Sequence, residues 1–438
     1  MYENKIGVLV PNVMLPPKGT DFSKWAVVAC DQFTSQPEYW DAARAYIGDA
    51  PTTLDLFLPE AFLGKDGEAE RIATIRENMR SYMAKGVLET KPQGFVLVKR
   101  SVAGNTRWGL VMALDLECYD YNKGATTLIR ATEGTIVRRI PPRLRIREGA
   151  PLELPHILVL IDDPKRTVIE PLAQKTDALE TLYDTDLMLD GGHITGWLVD
   201  GQADVTGAID AMTALTDADA FRAKYGDHAP LLFAMGDGNH SFATAKANWE
   251  KVKATLTEEE RKDHPARYAL VEVENVHDDG IIFEPIHRVV FGLGGKEGAE
   301  KILAKLNEQN GGAKIVYADD MPEAKGGEVH TIPFCTGGLF GAFTVEKPAA
   351  QLAVGTLQNA IDAVLKEVEG AEVDYIHGAN VVRDLAAKPD AMGFLLPAMQ
   401  KSELFPTVVY DGALPRKTFS MGEANEKRYY LECRKIEK

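Results

Sequence analysis

The stretch "LLFAMGDGNHSFATAKANWEKVKATL", residues 231–256, constrains the fold more than any other part of the chain. An apolar run of strand length breaks at Gly236-Asp237-Gly238-Asn239-His240-Ser241, and a helical pattern begins at once. Phe242, Ala245, Trp249 and Val252 recur at steps of three and four, with Lys246, Glu250 and Lys253 on other faces, as an amphipathic helix requires. A strand passing straight into a helix through glycines reads in two ways. Asn239 or Ser241 can be an ordinary N-cap, accepting from amides of the first turn. Alternatively, the unpaired N–H groups and partial positive charge of the helix start hold an anion, which the glycines let come close.

A cap alone does not need Asp237 and His240. Asp237 ends the strand, where α/β folds place their ligands. An acid and an imidazole beside an anion site are parts of a phosphoryl-transfer centre. The GxxxxGK[ST] spacing of a Walker A loop is absent.

The rest of the chain alternates strands and helices. "KWAVVACDQF" predicts a short strand over Ala26–Cys30 with a polar turn after it, and "SQPEYWDAARAYIG" a helix. Residues 68–88 predict an amphipathic helix closed by Gly86. "GFVLVKRSV" and "RWGLVMALDLECY" predict a hairpin around Gly104-Asn105. Pro141-Pro142 argues against a continuous helix, so "PRLRIRE" is expected as a strand with Arg143, Arg145 and Arg147 on one face. "PHILVLIDDP" predicts a buried strand and "VIEPLAQKTDALETLYD" a helix. From about residue 292 the texture changes, with a helix between glycine pairs. The expected division is therefore 1–293 and 294–438, which suits 438 residues, long for a single core.

Composition narrows the function. A formal charge of -16 works against bulk attraction for a polyanion, so a nucleic-acid role needs a local basic surface. The amino terminus lacks the basic start and long apolar middle of a signal peptide, and no run approaches a membrane span. The four cysteines are far apart with no CxxC pair, which argues against a disulfide scaffold or structural zinc. A reducing cytoplasm is the expected location.

Five blocks, "MGDGNHSFATAK", "LIRATEGT", "PHILVLIDD", "FEPIHRVVF" and "LPRKTFSMGEANEKRYYLE", together resemble the domain of unknown function 1015 family of bacteria and archaea over nearly the whole chain. The resemblance implies a ParB/sulfiredoxin-like fold, with a nucleotide phosphate at a helix start. It also implies, through related free-serine kinases that share the motif, phosphoryl transfer to a small hydroxyl compound. Many relatives carry Asp-Gly-His-His-Arg where this chain has Asp237-Gly238-Asn239-His240-Ser241. Asn239 stands where sulfiredoxins need a cysteine, so sulfinate reduction lacks its nucleophile. Ser241 stands where relatives carry arginine, so one phosphate-pairing charge has to come from elsewhere. ParB-type switches use a more basic motif here.

The expected architecture is mixed α/β (α+β): a larger ParB/sulfiredoxin-like domain with big insertions over 1–293, and a smaller α/β domain over 294–438. The expected catalytic residues are Asp237, His240 and Asp31, the last at the end of its own strand. The expected phosphate and nucleotide contacts are Gly236, Gly238, Asn239, Ser241, Arg139, Arg143, His287, Arg288 and Lys417. Asp31 and Asp237 are the expected ligands of Mg²⁺. Cys30 reads as a small core residue, having no paired base. The leading expectation is phosphoryl transfer from ATP, ADP or another phosphate donor to a small hydroxyl metabolite, with free L-serine implied by the resemblance. The alternatives are a non-catalytic nucleotide-binding regulator and a ParB-like nucleic-acid-associated protein. The expected partners are a small-molecule substrate and a nucleotide, without a membrane.

Overall fold

The computed structural model describes residues 5–122 and 124–438. The chain divides into two compact units: residues up to Ile282 together with Met421–Lys438, and Phe283–Ser420. Residue 293 falls inside the second unit, and the last eighteen residues return to the first.

The first unit is built on a ten-stranded mixed sheet. Its path runs Glu180–Asp186, His193–Val199, Phe95–Val102, Asn105–Asp115, Tyr268–Asn275, Leu158–Ile161, Phe233–Asp237, Ile129–Arg130 and Tyr119–Asp120. Val8–Leu9 adds to the Asn105–Asp115 strand. Leu158–Ile161 lies parallel to Tyr268–Asn275 and antiparallel to Phe233–Asp237. The expected hairpin forms, with Val102 opposite Asn105.

Apolar side chains leave this sheet on both faces because the strand period is two. Phe95 and Leu97 enter one core with Phe242 and Trp249, while Val96 and Val98 enter another with Trp25, Trp40, Ile72 and Met79. "GFVLVKRSV" therefore runs apolar rather than alternating. The helices Pro37–Ile47 and Glu68–Ala84 form where their patterns predict.

Three local expectations are corrected. "PRLRIRE" is helical up to Arg147, as part of Ile140–Arg147 with Glu148 as its C-cap, and the two prolines sit in its first turn. A first-turn proline loses no helical hydrogen bond, because those N–H groups have no partner in any case. "VIEPLAQKTDALETLYD" gives only Glu170–Ala173 and a short 3₁₀ turn before the strand Glu180–Asp186. The strand expected at 26–30 shrinks to Val27–Val28 and pairs antiparallel with Tyr429–Tyr430.

The second unit carries a six-stranded antiparallel sheet in the order Ala313–Ala318, Leu339–Val345, His330–Thr336, Ala391–Phe394, His287–Phe291, Glu372–Ile376. Its helices include Gly295–Gln309 and Ala353–Val364. Among the described residues no helix is long and apolar enough to cross a membrane.

Candidate functional site

The junction that opens the sequence is built by two glycines under different constraints. Leu158 pairs with Asp237 and Val159 with Met235, so Gly236 is the extra residue of a β-bulge. Gly238 has φ of 77°, and a Cβ there would lie 3.0 Å from Ile157 Cα and 3.1 Å from the His156 carbonyl oxygen. Only glycine meets both demands at low cost. The helix Asn239–Lys253 begins directly after it, anchored by Phe242, Ala245 and Trp249, all fully buried.

No side chain caps this helix. The expected capping residues, Asn239 and Ser241, lie inside its first turn and point elsewhere. Asn239 Oδ1 accepts from the Thr132 amide at 3.2 Å, and the Thr132 hydroxyl donates to the Met235 carbonyl at 2.6 Å. His240 Nε2 accepts from the Ile136 amide at 3.3 Å. These bonds fasten the "LIRATEGT" segment over the helix start, so His240 serves the backbone of that loop. Arg130, at the beginning of the loop, is buried and donates to the carbonyls of Thr127, Ala229 and Pro230.

Ser241 Oγ is hydrogen-bonded to His156 Nε2, and His156 Nδ1 lies 3.0 Å from the Tyr430 hydroxyl. The Cys30 amide donates to that hydroxyl at 3.3 Å. Asp237 Oδ1 accepts from the Gly238 amide at 2.7 Å, and Oδ2 lies 3.2 Å from Lys427 Nζ. Burial pushes the Asp237 carboxyl up, but Lys427, the Gly238 amide and nearby His156 outweigh it and hold the group below the usual range.

The half-buried Asp31 follows Cys30, and its Oδ1 accepts from the Gln32 side-chain Nε2 at 2.9 Å. Glu60 stands nearby, bound to Arg143 at 2.5 Å. Burial raises the Glu60 carboxyl despite Arg143, and Asp31 adds to the rise. Burial, then Asp31 and Glu60, also drives the Cys30 thiol far upward, so it stays protonated, as its reading as an unreactive residue requires. From Asp31, a chain of contacts runs through the adjacent Cys30 amide, the Tyr430 hydroxyl and His156 to Ser241.

Of the expected arginines, Arg143 is committed to Glu60, Arg145 to Glu68 and Arg147 to Glu153. Arg139 is exposed at the start of its helix. His287, Arg288 and Lys417 belong to the second unit. The Leu396 amide donates to His287 Nδ1 at 3.1 Å, and burial, helped by Arg288, pushes the imidazole down to about 4. Arg288 is fully buried and donates to the carbonyls of Ile286, Arg416 and Lys417 and to Gln358. Its guanidinium holds the backbone of that late turn instead of a ligand, which corrects the expectation for Arg288.

His156, Tyr430, Lys427 and Glu60 were not singled out by sequence reasoning. Lys427 and Tyr430 arrive from the carboxyl-terminal segment, which buried charges hold in place. Arg100 donates to the carbonyls of Asn425 and Lys427, both at 3.1 Å. Arg428, 2% exposed, pairs with Glu272 at 3.2 Å and Glu432 at 2.5 Å. The Tyr183 hydroxyl donates to Glu432 at 2.5 Å.

N–H donors engage both oxygens of Asp237, the Gly238 amide on Oδ1 and Lys427 on Oδ2. Among the described residues no group of three or more His, Cys, Asp or Glu side chains can hold a metal. A Mg²⁺ that arrives on phosphates needs only one or two carboxylates from the protein.

The family model described as "Protein of unknown function (DUF1015)" matches residues 14–364. The chain belongs to the DUF1015 family. No curated protein matches this DUF1015 member. Among solved structures, a conserved hypothetical protein from Pyrococcus furiosus aligns with a TM-score of 0.35 and 10% identity over 75% of this chain and 95% of that one. A free serine kinase in complex with AMP aligns at 0.36 and 12%, over 75% and 91%. A free serine kinase variant in complex with ADP aligns at 0.37 and 11%, over 75% and 92%.

Proposed function

We propose that this DUF1015 protein transfers a phosphoryl group from a nucleotide or related phosphate donor to a small hydroxyl compound at the start of the Asn239–Lys253 helix. One observation carries the reading. The helix starts from a left-handed glycine with no side-chain cap, while Lys427, His156 and Ser241 stand around its first turn. An uncapped helix start ringed by cationic and polar groups favours a phosphate, and stabilising its charge is most of the work in phosphoryl transfer.

The roles differ from a reading of the motif alone. Asp237 keeps Lys427 at the site, and Asp31 takes the proton of the acceptor hydroxyl. Mg²⁺, when bound, offsets charge on the donor phosphates. L-serine is the first acceptor to test, on the strength of the motif resemblance. The test is phosphorus NMR of the protein with ATP, ADP or pyrophosphate and a panel of amino acids and polyols. Asp31→Asn is expected to lower turnover about 10²–10⁴-fold. Its folding should be retained, since among the described residues the Asp31 side chain bonds only its neighbour Gln32. Full activity in Asp31→Asn would remove it as the base. A nucleotide-dependent rise in melting temperature with no product from any acceptor would favour the regulator instead.

A further inference from the structure

We propose that Ser241 is a nucleophile that carries the phosphoryl group covalently between donor and acceptor, with His156 as its base and Tyr430 orienting the imidazole. The inference rests on the reading of this site as a phosphoryl-transfer centre and goes beyond it. It begins from a hydroxyl that has turned away from its usual work. A serine in a first helical turn ordinarily bonds backbone of that turn. Ser241 leaves the helix uncapped and bonds His156 Nε2, on the segment that precedes the strand Leu158–Ile161.

The Tyr430 hydroxyl has one proton and two acceptor sites, and it accepts from the Cys30 amide at 3.3 Å. In the proposed tautomer its other acceptor site takes the His156 Nδ1 proton at 3.0 Å. Nε2 is then the unprotonated nitrogen and accepts from the Ser241 hydroxyl. A nucleophile bonded to a base, and that base oriented by a third group, is the arrangement of covalent catalysis. Ser241 and His156 are both half-buried, so a ligand can reach them. The first-turn amides beside Oγ are where a phosphate would sit.

The chemistry balances in two steps. Ser241 Oγ attacks the terminal phosphorus of a nucleoside triphosphate or other phosphoanhydride. The Oγ–P bond forms, the anhydride P–O bond breaks, the nucleoside diphosphate departs, and the hydroxyl proton moves to His156 Nε2. The acceptor hydroxyl then attacks the same phosphorus and gives its proton to Asp31. The P–Oγ bond breaks, and His156 returns the proton to Ser241 Oγ.

The experiment uses the full chain with Mg²⁺ and no acceptor, with ATP, ADP and pyrophosphate as donors in turn. Intact mass and peptide mapping should find one phosphoryl group on Ser241 with an active donor. When ATP is that donor, labelled ADP should exchange into ATP without acceptor. Ser241→Ala should lose both signals and turnover. His156→Gln should slow labelling about 10²-fold with an unchanged melting temperature. Turnover without label or exchange, a label mapped elsewhere, or full turnover by Ser241→Ala would overturn the covalent step and leave direct transfer standing. Absence of turnover with every donor and acceptor would overturn both readings.

Discussion

Arg428 is the residue through which the fold places the carboxyl-terminal segment, and its replacement by methionine has a calculable effect. The guanidinium, 2% exposed, lies between Glu272 and Glu432, which are 1% and 0% exposed. Burial disfavours its charge, but Glu272 and Glu432 outweigh that and hold it firmly protonated. Arg428→Met leaves two buried carboxylates without their cation. Removing one partner of a buried pair costs roughly 3–5 kcal/mol, because the orphaned charge remains desolvated. All five tryptophans (Trp25, Trp40, Trp108, Trp197, Trp249) lie in the first unit, so their fluorescence follows its urea unfolding. With an m-value of about 3 kcal/mol/M for a unit of this size, the midpoint should fall by roughly 1–1.7 M. The loss should also depend on pH in a definite direction. A buried carboxylate without a partner has its folded-state affinity for protons raised, so the variant gains relative stability as pH falls from 7 towards 4. The gap to the wild type therefore narrows in acid. Adding Glu272→Gln and Glu432→Gln should recover at least half of the midpoint at pH 7. A fall under about 0.3 M, or a gap unchanged between pH 7 and 4.5, would refute the assignment of these charges as the clamp.

Three further outcomes test the site itself. Gly238→Ala should lower stability by about 2 kcal/mol or more through the left-handed backbone and the contacts with Ile157 and His156, read by thermal unfolding. Asp237 is held below its ordinary range in the folded protein, so its contribution is complete above the unfolded value of about 3.9 and is lost as pH falls through the folded value. The stability gap between wild type and Asp237→Asn should therefore be largest at neutral pH and shrink below pH of about 4. Lys427→Met should weaken nucleotide binding about tenfold or more in calorimetry, whereas Arg288→Met should lower the stability of the second unit, where its guanidinium meets Gln358 and the carbonyls of Ile286, Arg416 and Lys417.

What the sequence discloses about this molecule follows the range of the forces involved. The strand, glycine turn and helix at 233–253 are legible because the change from a continuous apolar run to a 3.6-residue period is local. "PRLRIRE" carries a local helical signal, since Ile140 and Leu144, four apart, are the buried pair of that helix. The two adjacent prolines mask it, because proline is excluded from a helix interior but not from its first turn. The site's other half has no local signal. Tyr430 meets His156 across 274 positions, and Lys427 meets Asp237 across an intervening compact unit's worth of sequence. The pairing of Tyr429–Tyr430 with Val27–Val28, the Arg100 guanidinium on the carbonyls of Asn425 and Lys427, and the buried Arg428–Glu272 pair bring them there. The returning segment also sets what stands at the helix start: Lys427 lies 3.2 Å from Asp237, and Ser241, whose position the motif of related sequences would fill with arginine, bonds His156 in the folded chain.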